Sequence, residues 1–282
     1  MANIGIAIMA YNRPAYLARL LETLAQNDLS GCDVHLWQDG AICHLRGDAL
    51  CPVEEIDASV AVFEAAPLPR KTLHRNDFNL CCAAQRYQLM PWMAAHYDAF
   101  LCLDNDVVLS PYAVTHLKTL LTQYADDPRV GSVSPGCKLE CPAGQQDDYR
   151  DKVALLRGHF WCEGYWTAKW ARLWPWYEQY YARVKHLPYR NISNAAQAIT
   201  NWNTSLGLDD YTANPSSDVA LARALILTGY QRLRMVVNRA TGIGDHGLHC
   251  TPDLLAQLGA GHQPLYTWPD EAQIARFAEV TL

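Results

Sequence analysis

The chain alternates unbroken apolar runs with stretches in which apolar residues recur at helical spacing. Residues 4–11 (IGIAIMAY) form such a run, Asn12, Arg13 and Pro14 interrupt it, and Leu17, Leu20, Leu21 and Leu24 then fall on one face. The pattern predicts a buried strand, a loop and a helix with Pro14 in its first turn, which is how a βαβ unit opens. A second short strand is expected over 32–40 (CDVHLWQDG), closing on Asp39 and Gly40. Residues 75–97 read as a helix, and 98–106 (DAFLCLDND) as a strand buried on both faces. Strands alternating with helices imply an α/β fold with a mostly parallel central sheet flanked by helices.

Further along, 126–136 (DDPRVGSVSPG) contains another strand, after which regularity fades into a polar stretch at 145–150. Five of the nine tryptophans lie between Trp161 and Trp176, which marks a different environment. Trp166, Trp170 and Trp174 recur every four residues, a helical stripe that is more often core or interface than a platform for sugar rings. Ser216 or Ser217 suits the N-cap of a helix ending near Gly229, and a strand follows it. The Gly- and His-rich segment 239–252 (RATGIGDHGLHCTP) reads as a loop.

In parallel sheets ligands sit beyond the carboxyl ends of the strands. Asn12, Asp39 and the pair Asp104 and Asp106 all fall at such ends, so three separated segments point at one crevice. Carboxylates placed there serve either a turn that uses Asp and Asn for local hydrogen bonds or a cation that wants oxygen ligands.

Composition narrows the setting. Half of the 282 residues are hydrophobic and 18% are charged, so a folded chain is expected throughout, read here as one domain. A formal net charge of -6 gives no basic footprint for nucleic acid and no polybasic membrane patch. The apolar run at 4–11 is too short to span a bilayer and lacks the features of a secretory signal. The ten cysteines are scattered without a CxxC pair, so reduced thiols in the cytoplasm are expected. Only Cys137 and Cys141 have a spacing that suits a structural metal.

Three segments resemble one family. IAIMAYNRPAYLARLLETL is similar to the first strand and helix of GT-A-fold glycosyltransferases, especially the large inverting family that uses nucleotide-sugar donors. LDNDVVLSP resembles their DxD motif, and SSDVALARALILTGY the later segment that opens on the catalytic aspartate. The match covers the first half well and the third quarter loosely. There are departures: many relatives end the second strand in two acids and Gly-Ser, where this chain has Gln38, Asp39, Gly40 and Ala41. The helix before the DxD strand often opens with Asn, any residue, Gly, whereas the nearest matches here are Asn76-Asp77-Phe78 and Asn79-Leu80.

The resemblance implies a Rossmann-like GT-A fold, with 1–110 as the nucleotide-sugar-binding half and 111–282 as the acceptor-binding and catalytic half. It implies Mn²⁺ or Mg²⁺ as cofactor, a hard cation that neutralises the departing diphosphate. Asp106 would bind the metal, with His246 or His249 completing the coordination or touching the diphosphate; His246 is preferred. Asn12, Arg13, Asp39, Asp104 and Asn105 would contact the nucleotide sugar. Asp218 would be the general base of an inverting transfer, unless it only supports the first helical turn; Glu163 is the reserve. Expected partners are a nucleotide-sugar donor, UDP-linked by preference, and a carbohydrate or other hydroxyl acceptor, with a homo-oligomer left open. Two rivals stand beside this reading. A sugar-phosphate nucleotidyltransferase would show a Gly-rich, Arg- and Lys-bearing loop after the first strand, which MAYNRPAYL lacks; a catalytically silent nucleotide- or carbohydrate-binding module would keep the fold without turnover.

Overall fold

The computed structural model describes residues 3–136, 141, 144–156, 161–246, 251, 253 and 265–281. The opening pattern folds as its periodicity requires, into β1 (Ile4–Ala10), α1 (Pro14–Ala25) and β2 (Cys32–Gln38). There follow α2 (Val53–Ala65), β3 (Lys71–Arg75), α3 (Cys81–His96), β4 (Ala99–Asp104), β5 (Val107–Leu109) and α4 (Ala113–Gln123). The second part comprises β6 (Val130–Ser134), a four-residue α5 (Gln146–Tyr149), β7 (Lys152–Leu156), β8 (Cys162–Trp166), α6 (Thr167–Val184) and α7 (Ala196–Ser205). It ends with α8 (Ser217–Leu227), β9 (Gln231–Met235), β10 (Ala240–Gly242) and β11 (Ala278–Glu279).

Nine strands form one sheet in the order β11-β7-β9-β6-β8-β4-β1-β2-β3, and β10 pairs with β5 in a small separate ribbon. Strands β3, β2, β1 and β4 are mutually parallel, so their carboxyl ends meet on one edge of the crevice. Strand β8 runs antiparallel to both β4 and β6, wedged between them.

The period-two alternation of β1 explains the two layers. Ile4, Ile6, Ile8 and Ala10 enter a core shared with Leu17, Leu20, Leu21 and Leu24 of α1. Ala7 and Met9 face the other way, into a core built with α3, α6, α7 and α8. Gly5 lets the end of α3 approach, since a Cβ there would meet Met93 Cε at 2.4 Å.

The expected tryptophan stripe is split: Trp166 ends β8 and lies in the first core, whereas on α6 Trp170 is buried in the second core and Trp174 packs against that cluster from its edge. Burial of these rings follows from an apolar face wide enough to need cover on both α3 and α8. No helix among the described residues is long and apolar enough to cross a membrane. The eight described cysteines are free thiols; Cys137, and with it the Cys137–Cys141 spacing, lies outside the described residues, as does Cys250.

Candidate active site

Three strand ends converge where the sequence places its polar residues. The Asp39 amide donates to the Ala10 carbonyl at 2.9 Å, tying the ends of β2 and β1 together. Arg13, at the start of α1, donates to Asn105 Oδ1 at 3.0 Å and pairs with Asp106 at 2.8 Å, which joins the first loop to the end of β4. Asn12 points along the rim, donating through Nδ2 to Glu55 Oε2 of α2 at 2.8 Å.

Asp39 is only 2% exposed, and its carboxylate is engaged by the chain itself. It accepts the amides of Leu80 at 2.9 Å and Cys81 at 3.0 Å, and Asn76 Nδ2 at 3.3 Å. Burial lifts its carboxyl to about 6, while these hydrogen bonds pull the other way. The amides it holds are those at the start of α3, where an anion complements the helix dipole. Cys81 has φ +62°, the left-handed region that favours glycine. Of the two candidate openings, Asn76-Asp77-Phe78 and Asn79-Leu80, the second is the one followed by a residue, Cys81, in the backbone region that glycine favours.

The turn after β4 is braced from the far end of the chain. Ribbon β5–β10 carries the chain past Asp106, whose carbonyl accepts the Ile243 amide at 2.7 Å. Gly244 lies so close that a Cβ there would come within 2.2 Å of Asp106 Oδ2. Asn105 is buried with its Nδ2 lacking a hydrogen-bond partner. His246 follows two residues after Gly244, exposed, with Nδ1 3.5 Å from Asp245; His249 lies outside the described residues.

Opposite these groups stands Asp218. The cap of α8 is Ser216, whose Oγ accepts the Val219 amide at 3.3 Å. With capping assigned to the serine, the Asp218 carboxylate pairs with the buried Arg86 of α3. The same guanidinium reaches Asp104 at 3.2 Å. Arg86 therefore links the first acid of the β4 turn to the candidate base. Burial raises the Asp104 carboxyl above the usual range; Arg86 opposes the shift, and Asp218 and Asp106 add to it. Glu163 of β8, the reserve base, is 4% exposed, paired with Arg232 at 2.6 Å and accepting from the Tyr165 hydroxyl.

Asp104, Glu163, Asp218, Arg86, Arg232 and Trp161 border one cleft. The two arginines are absent from the sequence-based expectations. Their signal is a basic residue inside an otherwise apolar element, CCAAQRYQLM for Arg86 and QRLRM for Arg232, and such a charge is buried only with a partner.

Asp104 and Asp106 offer hard oxygen donors suited to Mg²⁺ or Mn²⁺. No group of three or more metal-capable side chains gathers among the described residues. That donor set fits an ion of this kind, which is held by one or two carboxylates together with substrate phosphates and waters. The Gly244 backbone passes close to Asp106 Oδ2, the oxygen that Arg13 also holds, so any side chain at 244 would crowd that carboxylate.

Fold and site together define an α/β sheet protein with a cleft beside the carboxyl end of β4, lined by carboxylates and guanidiniums. No family profile and no curated protein matches the sequence. Among solved structures the chain is similar to a mannosyltransferase, PcManGT from Pyrobaculum calidifontis, in complex with GDP-Man and Mn²⁺. The identity is 14% and the TM-score 0.46, covering 80% of this chain and 70% of that one. It is also similar to residues 1–349 of TarS from S. aureus, at 12% identity and a TM-score of 0.38 over 59% of this chain and 47% of that one. TarS in complex with UDP-GlcNAc gives 12% identity and a TM-score of 0.40 over 59% of this chain and 46% of that one. The chain thus spans about half the length of the TarS structures it matches.

Proposed function

We propose that the chain is a glycosyltransferase that moves a sugar from a nucleotide donor, UDP-linked by preference, to an acceptor hydroxyl with inversion, aided by Mn²⁺ or Mg²⁺. The observation that carries this reading is the convergence of Asp104 and Asp218 on one guanidinium, Arg86, at the end of β4. It supports a candidate base facing the acids of the donor site across a single cleft.

Asp106, with Asp104 beside it, would hold the cation, which supplies counter-charge to the departing diphosphate. His246 stands near enough in sequence to Gly244 to serve the diphosphate or the ion. Arg13 keeps the Asn105–Asp106 turn in place through its two contacts. Asn12 and Asp39 mark the nucleoside end; Asp39 serves it by fixing the Asn76–Cys81 loop through three hydrogen bonds.

At the other end Asp218 accepts the proton of the acceptor hydroxyl as that oxygen attacks the anomeric carbon from behind. The bond from that carbon to the diphosphate oxygen breaks, and its electron pair leaves with the diphosphate. Arg86 holds the Asp218 carboxylate in place through a charge-assisted contact. In this reading 1–110 binds the nucleotide sugar and 111–282 supplies acceptor contacts and base, in the cytoplasm, where free thiols persist.

The test is turnover of UDP- and GDP-sugars in Mn²⁺, followed as release of the nucleoside diphosphate with and without acceptors. Transfer or hydrolysis supports the reading. Binding without turnover leaves a silent binding module, and pyrophosphate release from a nucleoside triphosphate and a sugar phosphate identifies a nucleotidyltransferase.

A further inference from the structure

Arg232 of β9 is 1% exposed, and only one of its three nitrogens is engaged. Nε pairs with Glu163 Oε1 at 2.6 Å and donates to Ser132 Oγ at 3.3 Å. Both terminal nitrogens are buried without a hydrogen-bond partner. Orphaned donors of this kind are rare in folded proteins, and a guanidinium carries four N–H groups on those two atoms.

The cleft Arg232 borders is the one that holds Asp104 and Asp218. On the glycosyltransferase reading, on which this inference rests, the sugar being transferred lies against the side of this cleft that Asp104, Asp218 and Arg232 line. The geometry points to Arg232 as the residue that reads this sugar, its terminal nitrogens donating to sugar oxygens, and to a sugar without charge.

Orientation and charge both carry the argument. The ring of contacts from Glu163, Tyr165 and Ser132 fixes the guanidinium before any ligand arrives, so little freedom is lost when it donates. Around the cleft Asp104, Glu163 and Asp218 stand against Arg86 and Arg232. Among the described residues that border the cleft, Arg86 is shared by two carboxylates and Arg232 is matched by Glu163, so neither of these cations is left over to balance a uronic acid. A neutral sugar meets the unsatisfied donors with hydroxyl or amide oxygens and adds no charge to bury.

The experiment is calorimetric titration in Mn²⁺ of the parent and of Arg232→Lys with UDP, GDP, UDP-GlcNAc, GDP-Man and UDP-glucuronic acid. Lysine keeps the charge against Glu163 and loses the forked donors. The parent is expected to bind a neutral sugar nucleotide more tightly than the bare diphosphate. In Arg232→Lys that gain should fall roughly 10- to 100-fold while affinity for the diphosphate itself stays put. If Arg232→Lys fails to fold, the paired change Arg232→Met with Glu163→Gln removes both charges together, and the same ratio is read.

The inference is overturned if the variant keeps the full gain, if the parent shows none, or if UDP-glucuronic acid binds the parent more tightly than UDP-GlcNAc and GDP-Man do. A parent that binds neither UDP nor GDP in Mn²⁺ removes the glycosyltransferase reading itself, a separate outcome from failure of the sugar contact alone.

Discussion

The Arg86 guanidinium sits against the Asp218 carboxylate, joining α3 to the first turn of α8 across 132 positions of sequence. Because Ser216 does the capping, Asp218 is spared for this contact.

Replacing Asp218 by Asn keeps the shape of that turn and removes the basicity. Donor affinity and melting temperature should stay close to the parent's, while transfer falls on the order of 10²–10⁴-fold. Single-turnover rates with saturating donor measure it. An Asn variant that turns over like the parent moves the base elsewhere; Glu163 would then have to give up Arg232 to serve.

Gly244→Ala places a methyl group where Asp106 Oδ2 now lies. The change lies outside both hydrophobic cores, so the fold should survive, but the carboxylate is pushed aside. Mn²⁺-dependent nucleotide binding should weaken about 10- to 100-fold, the usual effect of disturbing a group that orients a metal ligand. Asp106→Ala should weaken it at least as much. Equal affinities in both variants and the parent would show that the acids after β4 form only a turn.

Cys81 holds a left-handed backbone that costs a side chain on the order of 1–2 kcal/mol. Cys81→Gly should therefore raise stability by about 0.5–1 kcal/mol after loss of the partly buried thiol. Asp39→Ala leaves the Leu80 and Cys81 amides without their acceptor and should cost about 1–3 kcal/mol. Urea unfolding of the two variants checks both signs at once.

His35 of β2 contacts His74 at 3.0 Å and the Tyr97 hydroxyl at 2.6 Å. Burial, then the neighbouring His74, lowers its pKa from 6.5 to about 4, with Asp33 opposing and His96 adding slightly. The fold therefore holds the neutral imidazole. Its contribution is complete above pH 6.5 and is lost as pH falls toward 4, since the unfolded chain binds the proton first. Melting temperature should decline over that window, and His35→Gln should flatten the decline. An unchanged slope would assign the acid lability to other groups.

Much of this was legible in the chain. Leu17, Leu20, Leu21 and Leu24 fixed α1 because a helix repeats every 3.6 residues, and the unbroken run before Asp104 fixed β4 because a central parallel strand is covered on both faces. Ser216 and Gly229 bracketed α8 through capping chemistry that is local. Other parts were not legible. The segment at 41–75 prompted no expectation, yet it holds α2 and β3. Strand β8 hides in the tryptophan-rich segment because its pairing with β4 is set by tertiary contact. The roles of Arg86 and Arg232 were hidden for the same reason: Arg86 is defined by Asp104, 18 positions away, with Ser217 and Asp218, 131 and 132 away, and Arg232 by Glu163 and Ser132, 69 and 100 away, beyond any periodicity. The strand ends indicated where a ligand belongs; the guanidiniums that organise the carboxylates had to be seen in place.

The wedge of β8 between β4 and β6 also orders events in time. Both neighbours are made before it, so on an emerging chain β4 and β6 each present an unpaired edge until residues 162–166 arrive. Closure of the sheet is therefore a late, long-range step in synthesis. A nascent chain stalled before Cys162 leaves β4 open on one side and β6 and β7 open on both, since β8, β9 and β11 all follow, and such a chain exposes several strand edges to mispairing.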